Sequence, residues 1–157
     1  KVSRPNREES KAILKVYLKE GLPREHEDFD AMAEPFLDRL FARSSEQEVL
    51  VLTLRSGSNR KMYWSDFISG AVIEGIMKRA KERSIERAIR GETLCLTEED
   101  LVVSLENEFE EGSLLPAESN LEDWLQLLDM DSKDVVRVRR PNESDKATEN
   151  TMRRSII

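Results

Sequence analysis

A mostly α-helical domain with one β-hairpin set into it is the fold the sequence predicts. Two observations carry that reading. Apolar residues recur at helical spacing over about 6–20, 30–43 and 69–90, and again behind Thr97. Over about 48–64 the pattern changes to β-forming residues on either side of a small polar turn.

The elements follow in chain order. Ile13, Leu14, Tyr17 and Leu18 make the first helix; Arg4-Pro5 is an extended lead-in, Asn6 can cap the first turn, and Gly21-Leu22-Pro23 stops the helix. Met32, Phe36, Leu37, Leu40 and Phe41 form the stripe of the second helix, with Asp30 as its expected cap. Pro35 is expected in its first turn or two, which would put the helix start later than residue 30. Glu48–Leu54 and Arg60–Trp64 read as two strands around Ser56-Gly57-Ser58-Asn59. A lone hairpin is marginal in water, so this one must lie on the helices or pair with something else.

The third helix, over about 69–90, has Val72, Ile73, Ile76, Met77, Ala80, Ala88 and Ile89 mostly on one side, and Gly91 stops it. Thr97-Glu98-Glu99-Asp100 resembles a capping box with Asp in place of Glu. Leu101, Val102, Leu105 and Phe109 follow, up to Gly112. Asn120–Asp123 is expected to cap a short helix with Trp124, Leu125 and Leu128, and Val135–Val138 to form a short strand. From Arg139 to Ile157 there are five basic and three acidic residues and few apolar ones, which reads as a disordered tail.

Composition bounds the function classes. The chain has 157 residues, 38% hydrophobic and 36% charged, with a net charge of −7. That length suits one domain, or one domain with an appendage. No apolar run approaches the roughly 20 residues that span a bilayer, so no membrane partner is expected. No secretory leader is visible, and a lone Cys95 forms no intramolecular disulfide, so a cytoplasmic location is expected. Because the first residue is Lys1, the chain reads as a piece of something longer, with its N-terminal part missing.

Several chemistries find no residues here. Gly70 and Gly75 lack the Lys and Ser/Thr of a P-loop and lie inside a helical pattern. One Cys and one His make no Cys/His zinc cluster, and no metal ligand set is predicted. His26, in Glu25-His26-Glu27-Asp28, reads as a solvated loop histidine. With no other His and no Gly-x-Ser-x-Gly elbow, a Ser/His hydrolase is excluded, and no catalytic residue is assigned. Between 78 and 90 six Lys/Arg face Glu82 and Glu86. That stripe reads first as a solvated face with local ion pairs, second as a contact for an acidic partner or neighbouring subunit. Nucleic acid comes third and is not expected, since no aromatic interleaving accompanies the charge.

Residues 67–116 carry a family resemblance. Phe67-x-Ser69-Gly70-Ala71, then Ile73-x-x-Ile76-x-x-Arg79-Ala80-Lys81-x-Arg83, then Leu96-Thr97-x-x-Asp100-Leu101 resemble the C-terminal lid of an AAA+ ATPase. Glu108-Phe109-Glu110-Glu111-x-x-x-Leu115-Pro116 and the preceding hairpin narrow this. Together with Arg4-Pro5-Asn6, Tyr17-Leu18-x-x-Gly21-Leu22-Pro23 and Asp123-Trp124 they resemble the bacterial proteasome-associated ATPases of the ARC or Mpa type, over about residues 2–138.

The resemblance implies an AAA+ helical lid of about four main helices with an inserted hairpin. It implies residues 1–112 as the lid, with the hairpin at about 48–64, residues 113–138 as a C-terminal extension, and 139–157 as a flexible tail. It also implies a parent that is a homohexameric, ATP-dependent unfoldase or chaperone, feeding protein substrates to a proteasome core or other chambered protease. ATP or ADP with Mg would bind the parent; this piece, lacking a P-loop, is expected to bind nucleotide weakly and not to hydrolyse it. By the same resemblance Gly70 and Ala71 lie against the nucleotide base, and Tyr17 takes the place of a ribose-side residue. The physical case is that small residues admit a flat ring and a helix start offers free N–H groups. The competing reading makes Gly70 merely the helix cap and Tyr17 a packing residue. Ser155, Ile156 and Ile157 take the place of the family's docking tail, though Ile156 stands where a penultimate Tyr is usual. The rival function is a stand-alone interaction or adaptor domain that keeps a lid-like fold and never meets nucleotide.

Overall fold

The computed structural model of the chain describes residues 4–19, 21–111 and 133–141. These fall in two compact units, a helical one within Lys1–Ala42 and Phe67–Leu114 and a sheet unit within Arg43–Asp66 and Leu115–Ile157. The helical unit contains α1 (Arg7–Leu18), α2 (Phe29–Phe41), α3 (Gly70–Ile89) and α4 (Glu98–Glu110). The sheet unit contains β1 (Glu48–Leu54), β2 (Asn59–Tyr63) and β3 (Val135–Arg139). The fold is thus mostly helical with a small antiparallel sheet, as the sequence predicts. Among the described residues no helix is long and apolar enough to cross a membrane.

The caps set where the helices begin. Asn6 and Glu9 close a reciprocal capping box at α1, the Asn6 side chain accepting from the Glu9 amide at 2.8 Å. Thr97 and Asp100 do the same at α4. One expected cap moves, and the competing reading of Gly70 as a cap is decided. Asp28, not Asp30, caps α2, accepting from the Asp30 amide at 3.2 Å. Ser69, not Gly70, caps α3, accepting from the Val72 amide at 3.2 Å. A hydroxyl can hold that amide and a glycine cannot, so Gly70 becomes the first helical residue. Pro35 lies inside α2, which starts at Phe29 rather than later. The missing proline N–H costs one intrahelical bond there, and the completely buried Met32, Phe36, Leu37 and Leu40 offset it. At its C-terminus α3 ends in a Schellman motif: the Gly91 amide donates to Ala88 and the Glu92 amide to Arg87, with Gly91 at φ 100°.

Each helix touches two others, α1 with α2 and α3, α4 with α2 and α3. The four stripes meet in one core that includes Leu14, Phe36, Leu37, Ile73, Ile76, Met77, Leu101 and Leu105. Burying each such side chain stabilises the unit by about 1.5–3 kcal/mol. Charged pairs fix neighbouring helices at the rim. Arg7 reaches Glu34 at 2.5 Å and Asp38 at 2.6 Å, Lys11 reaches Glu34 at 2.9 Å, and Arg39 reaches Glu106 at 3.0 Å.

In the sheet unit β1 is central, between β2 and β3, and both pairings are antiparallel. The hairpin is therefore completed by a third strand rather than left as a pair. That strand comes from the stretch read as a C-terminal extension and runs one residue past Val138 to Arg139. Thr53 sits opposite Asn59 on one side and Arg137 on the other. Leu50, Leu52, Met62, Trp64 and Val135 are buried. Gly57 takes φ 93° in the turn, and the Arg55 amide donates to the Asp134 carbonyl at 2.9 Å, tying the turn to the start of β3. The short helix expected over 120–128, the stop at Gly112 and the tail beyond Pro141 lie outside the described residues.

Candidate functional site

The start of α3 is built by the residues that precede it. Phe67 and Ile68 are buried and anchor the chain, and the Ile68 carbonyl accepts from the Arg4 guanidinium at 3.4 Å. Ser69 then caps the helix through the Val72 amide, and the Ile73 amide turns back to the Ser69 carbonyl at 3.0 Å. The amides of Gly70 and Ala71 belong to the first turn and have no acceptor among the described residues. Both residues are exposed. Nothing in the fold requires glycine at 70: a Cβ there would meet only Ile13 Cδ1, at an ordinary 3.9 Å.

Tyr17 stands four residues after Ile13 on α1, and Glu74 four residues after Gly70 on α3. The two helices pack together, so these pairs face each other. Tyr17 is half-buried. Loss of water pushes its phenol pKa up, and the nearby Glu74 carboxylate adds to the effect through its charge and a hydrogen bond. The structure therefore brings Tyr17 beside the opening turn of α3, along with Gly70 and Ala71. Glu74 joins them; its spacing from Gly70 was visible in the sequence, but its pairing with a residue of another helix was not. Ser155, Ile156 and Ile157 lie outside the described residues.

The basic stripe of α3 is less solvated than a free helix face. Arg79 reaches Glu108 at 3.2 Å and Glu111 at 2.9 Å. It is nine residues beyond Gly70, about 13 Å along the axis, and is taken up by the α3–α4 seam. Arg83 reaches Asp100 at 3.1 Å, and Arg87 grips both oxygens of the same carboxylate while donating to the Cys95 carbonyl at 3.0 Å. Asp100 is completely buried. Burial pushes its pKa up, but the bonds from Arg87 and Thr97 outweigh that and hold it below the usual carboxylate range. Lys78 and Lys81 have no ion-pair partner among the described residues. The ion-pair reading of the stripe holds for Arg79, Arg83, Arg87 and Arg90, three of them across helices rather than along one.

The ARC, AAA+ ATPase lid domain model matches residues 5–156. The chain is 32% identical over 137 residues to a protein of Kocuria rhizophila described as "AAA ATPase forming ring-shaped complexes", covering 81% of this chain and 24% of that protein. It is 32% identical over 160 residues to a "Proteasome-associated ATPase" of Frankia alni, covering 95% of this chain and 27% of that one. To a protein of the same description from Mycobacterium leprae it is 31% identical over 150 residues, covering 88% of this chain and 25% of the relative. The chain thus spans about a quarter of the length of the curated relatives it matches. With helices, caps and the exposed turn at Gly70-Ala71 all inside the matched span, the chain belongs to the ARC family of AAA+ ATPase lid domains.

Proposed function

We propose that this chain is the nucleotide-sensing lid of a ring-forming, ATP-dependent protein unfoldase, and that it acts by closing over the adenosine end of a nucleotide held elsewhere in the parent. The observation that carries the reading is the exposed first turn of α3 within a family-matched lid. Gly70 and Ala71 offer two unshared amides and no bulk, which suits a flat base laid across a helix start. Tyr17 flanks the ribose side, with Glu74 holding its hydroxyl. Phosphate and Mg²⁺ are held by the large AAA+ domain of the parent, since this chain has no P-loop.

The four-helix core and the Asp100 clamp make the lid a rigid unit that can pass nucleotide state to a neighbouring subunit of a homohexamer. The chain's likeness to proteins described as proteasome-associated ATPases supports a proteasome core or similar chambered protease as the parent's partner and unfolded proteins as its cargo. Ser155–Ile157 is the element proposed to dock that protease, and the cytoplasm is the proposed location.

The test is Ala71→Trp in the full-length parent. Ala71 is exposed, so the indole costs the lid little folding stability. It fills the space over the base, and ATP affinity is expected to fall about tenfold or more, read by fluorescent-nucleotide titration. Unchanged affinity with the lid still folded would remove Gly70-Ala71 from the nucleotide site.

A further inference from the structure

The loop after α1 and the N-terminus of α4 meet at a short bridge. The Leu96 amide donates to the Pro23 carbonyl at 2.8 Å, and the Glu25 amide to the Leu96 carbonyl at 2.9 Å. This short parallel bridge brings Glu25 and His26 against Glu98, 73 residues further along the chain from Glu25. One ligand atom from each of Glu25, His26 and Glu98 lies within 4.8 Å of the others. We propose that these three side chains form a binding site for a divalent cation of the zinc class.

Three features support this. The donors are one imidazole nitrogen and two carboxylates, a set that suits zinc, with a fourth position open to water. His26 Nε2 and Glu98 Oε2 stand 3.5 Å apart. That is long for a hydrogen bond. It matches two ligands of one tetrahedral ion, whose arms of about 2.1 Å subtend about 3.4 Å. The third feature concerns basic partners. Among the described residues no Lys or Arg pairs with Glu25 or Glu98, whereas Glu34, Asp100, Glu106 and Glu108 each have a cationic partner. Arg24, the nearest guanidinium in sequence, donates instead to the carbonyls of Leu18 and Glu27.

One Glu25 oxygen already accepts from the Glu98 amide at 3.0 Å, which orients that carboxylate and leaves its second oxygen for the ion. The side chains of His26 and Glu98 are each more than two-fifths exposed, so an ion can enter from solvent. Once bound, it would staple the 22–28 loop to α4 across a connection that otherwise rests on three hydrogen bonds.

The experiment titrates the full 157-residue chain with Zn²⁺ alone in a non-coordinating buffer. Heat and stoichiometry are read by calorimetry, and the imidazole by nitrogen-edited NMR, where the single histidine leaves no ambiguity of assignment. The expected result is one saturable site with His26 resonances shifting in step. His26→Gln and Glu98→Gln should each weaken it at least tenfold, with circular dichroism confirming that the exposed changes leave the helices formed. Cys95→Ser should leave it unchanged, and excess Mg²⁺ should not compete. Absence of a saturable one-to-one site, His26→Gln binding like the wild type, or loss of binding in Cys95→Ser would each overturn the assignment.

Discussion

Replacing Asp100 by Ala removes the group on which the α3–α4 seam and the start of α4 both depend. The carboxylate is completely buried, receives Arg83 and Arg87, and accepts from the Thr97 amide at 3.0 Å. Two losses follow. Loss of the Asp100 acceptor leaves the Thr97 amide unpaired, which costs about 1 kcal/mol, while the Thr97 side-chain cap on the residue-100 amide survives. Breaking a buried ion pair costs about 3–5 kcal/mol when the orphaned partner stays dry. Here the Arg83 and Arg87 side chains are 42% and 25% exposed and can rehydrate, so the charge loss falls to roughly 2 kcal/mol. The sum is about 3 kcal/mol. With a urea slope of about 1.5 kcal/mol per molar, the unfolding midpoint falls by about 2 M at unchanged slope. Asp100→Asn keeps an acceptor for the Thr97 amide and loses only the charge, so it is expected to fall by about two-thirds as much.

The pH dependence follows from the same contacts. Asp100 in the folded chain sits below its ordinary carboxylate value, so on acidification the unfolded chain binds the proton first. Its contribution is fully present above about pH 4–5, declines through the unfolded value of about 3.9, and is gone below the folded pKa. Asp100→Ala should flatten the stability profile over that acid window. A midpoint change under about 0.5 M urea, or an unaltered acid limb, would refute the clamp and return these arginines to an ordinary solvated face.

Gly91→Ala places a Cβ on a residue at φ 100° and should cost about 1 kcal/mol by the same urea assay, since the Schellman bonds from Gly91 and Glu92 need that backbone. In the parent complex, deleting Ser155–Ile157 should abolish stimulation of the partner protease while leaving the ATPase rate unchanged, measured by degradation of a folded reporter; Ile156→Tyr should improve engagement with a proteasome core. If degradation survives the deletion, coupling runs through another surface.

Local structure was legible in the sequence because its causes are local. The capping boxes at Asn6 and Thr97 are reciprocal bonds between residues three apart. The stripes of α1, α2 and α4 follow the 3.6-residue period, and the hairpin over Glu48–Tyr63 shows as β-formers around a polar turn. The cap of α2 falls at Asp28, two residues before the expected Asp30, because both aspartates can cap and only the backbone path selects one. The ordered lid motifs around Ser69-Gly70-Ala71 were enough to name the family that the residue 5–156 match then showed.

Everything that depends on chain crossing was decided by the tertiary structure. Periodicity marks one side of α3 as polar but is silent on what stands opposite, so the turning of Arg79, Arg83 and Arg87 toward α4 was hidden. The sequence reads Val135–Val138 as a strand with no partner named, and the pairing of β3 with β1 joins residues more than eighty apart. Glu25-His26 and Glu98 are ordinary polar residues until a two-bond bridge brings them together. The physical reason is the same in each case. Helix and turn propensities are set by a few consecutive residues, whereas a partner across the core is chosen by how whole apolar faces pack, and the side chains at the rim acquire their roles only after that packing is complete.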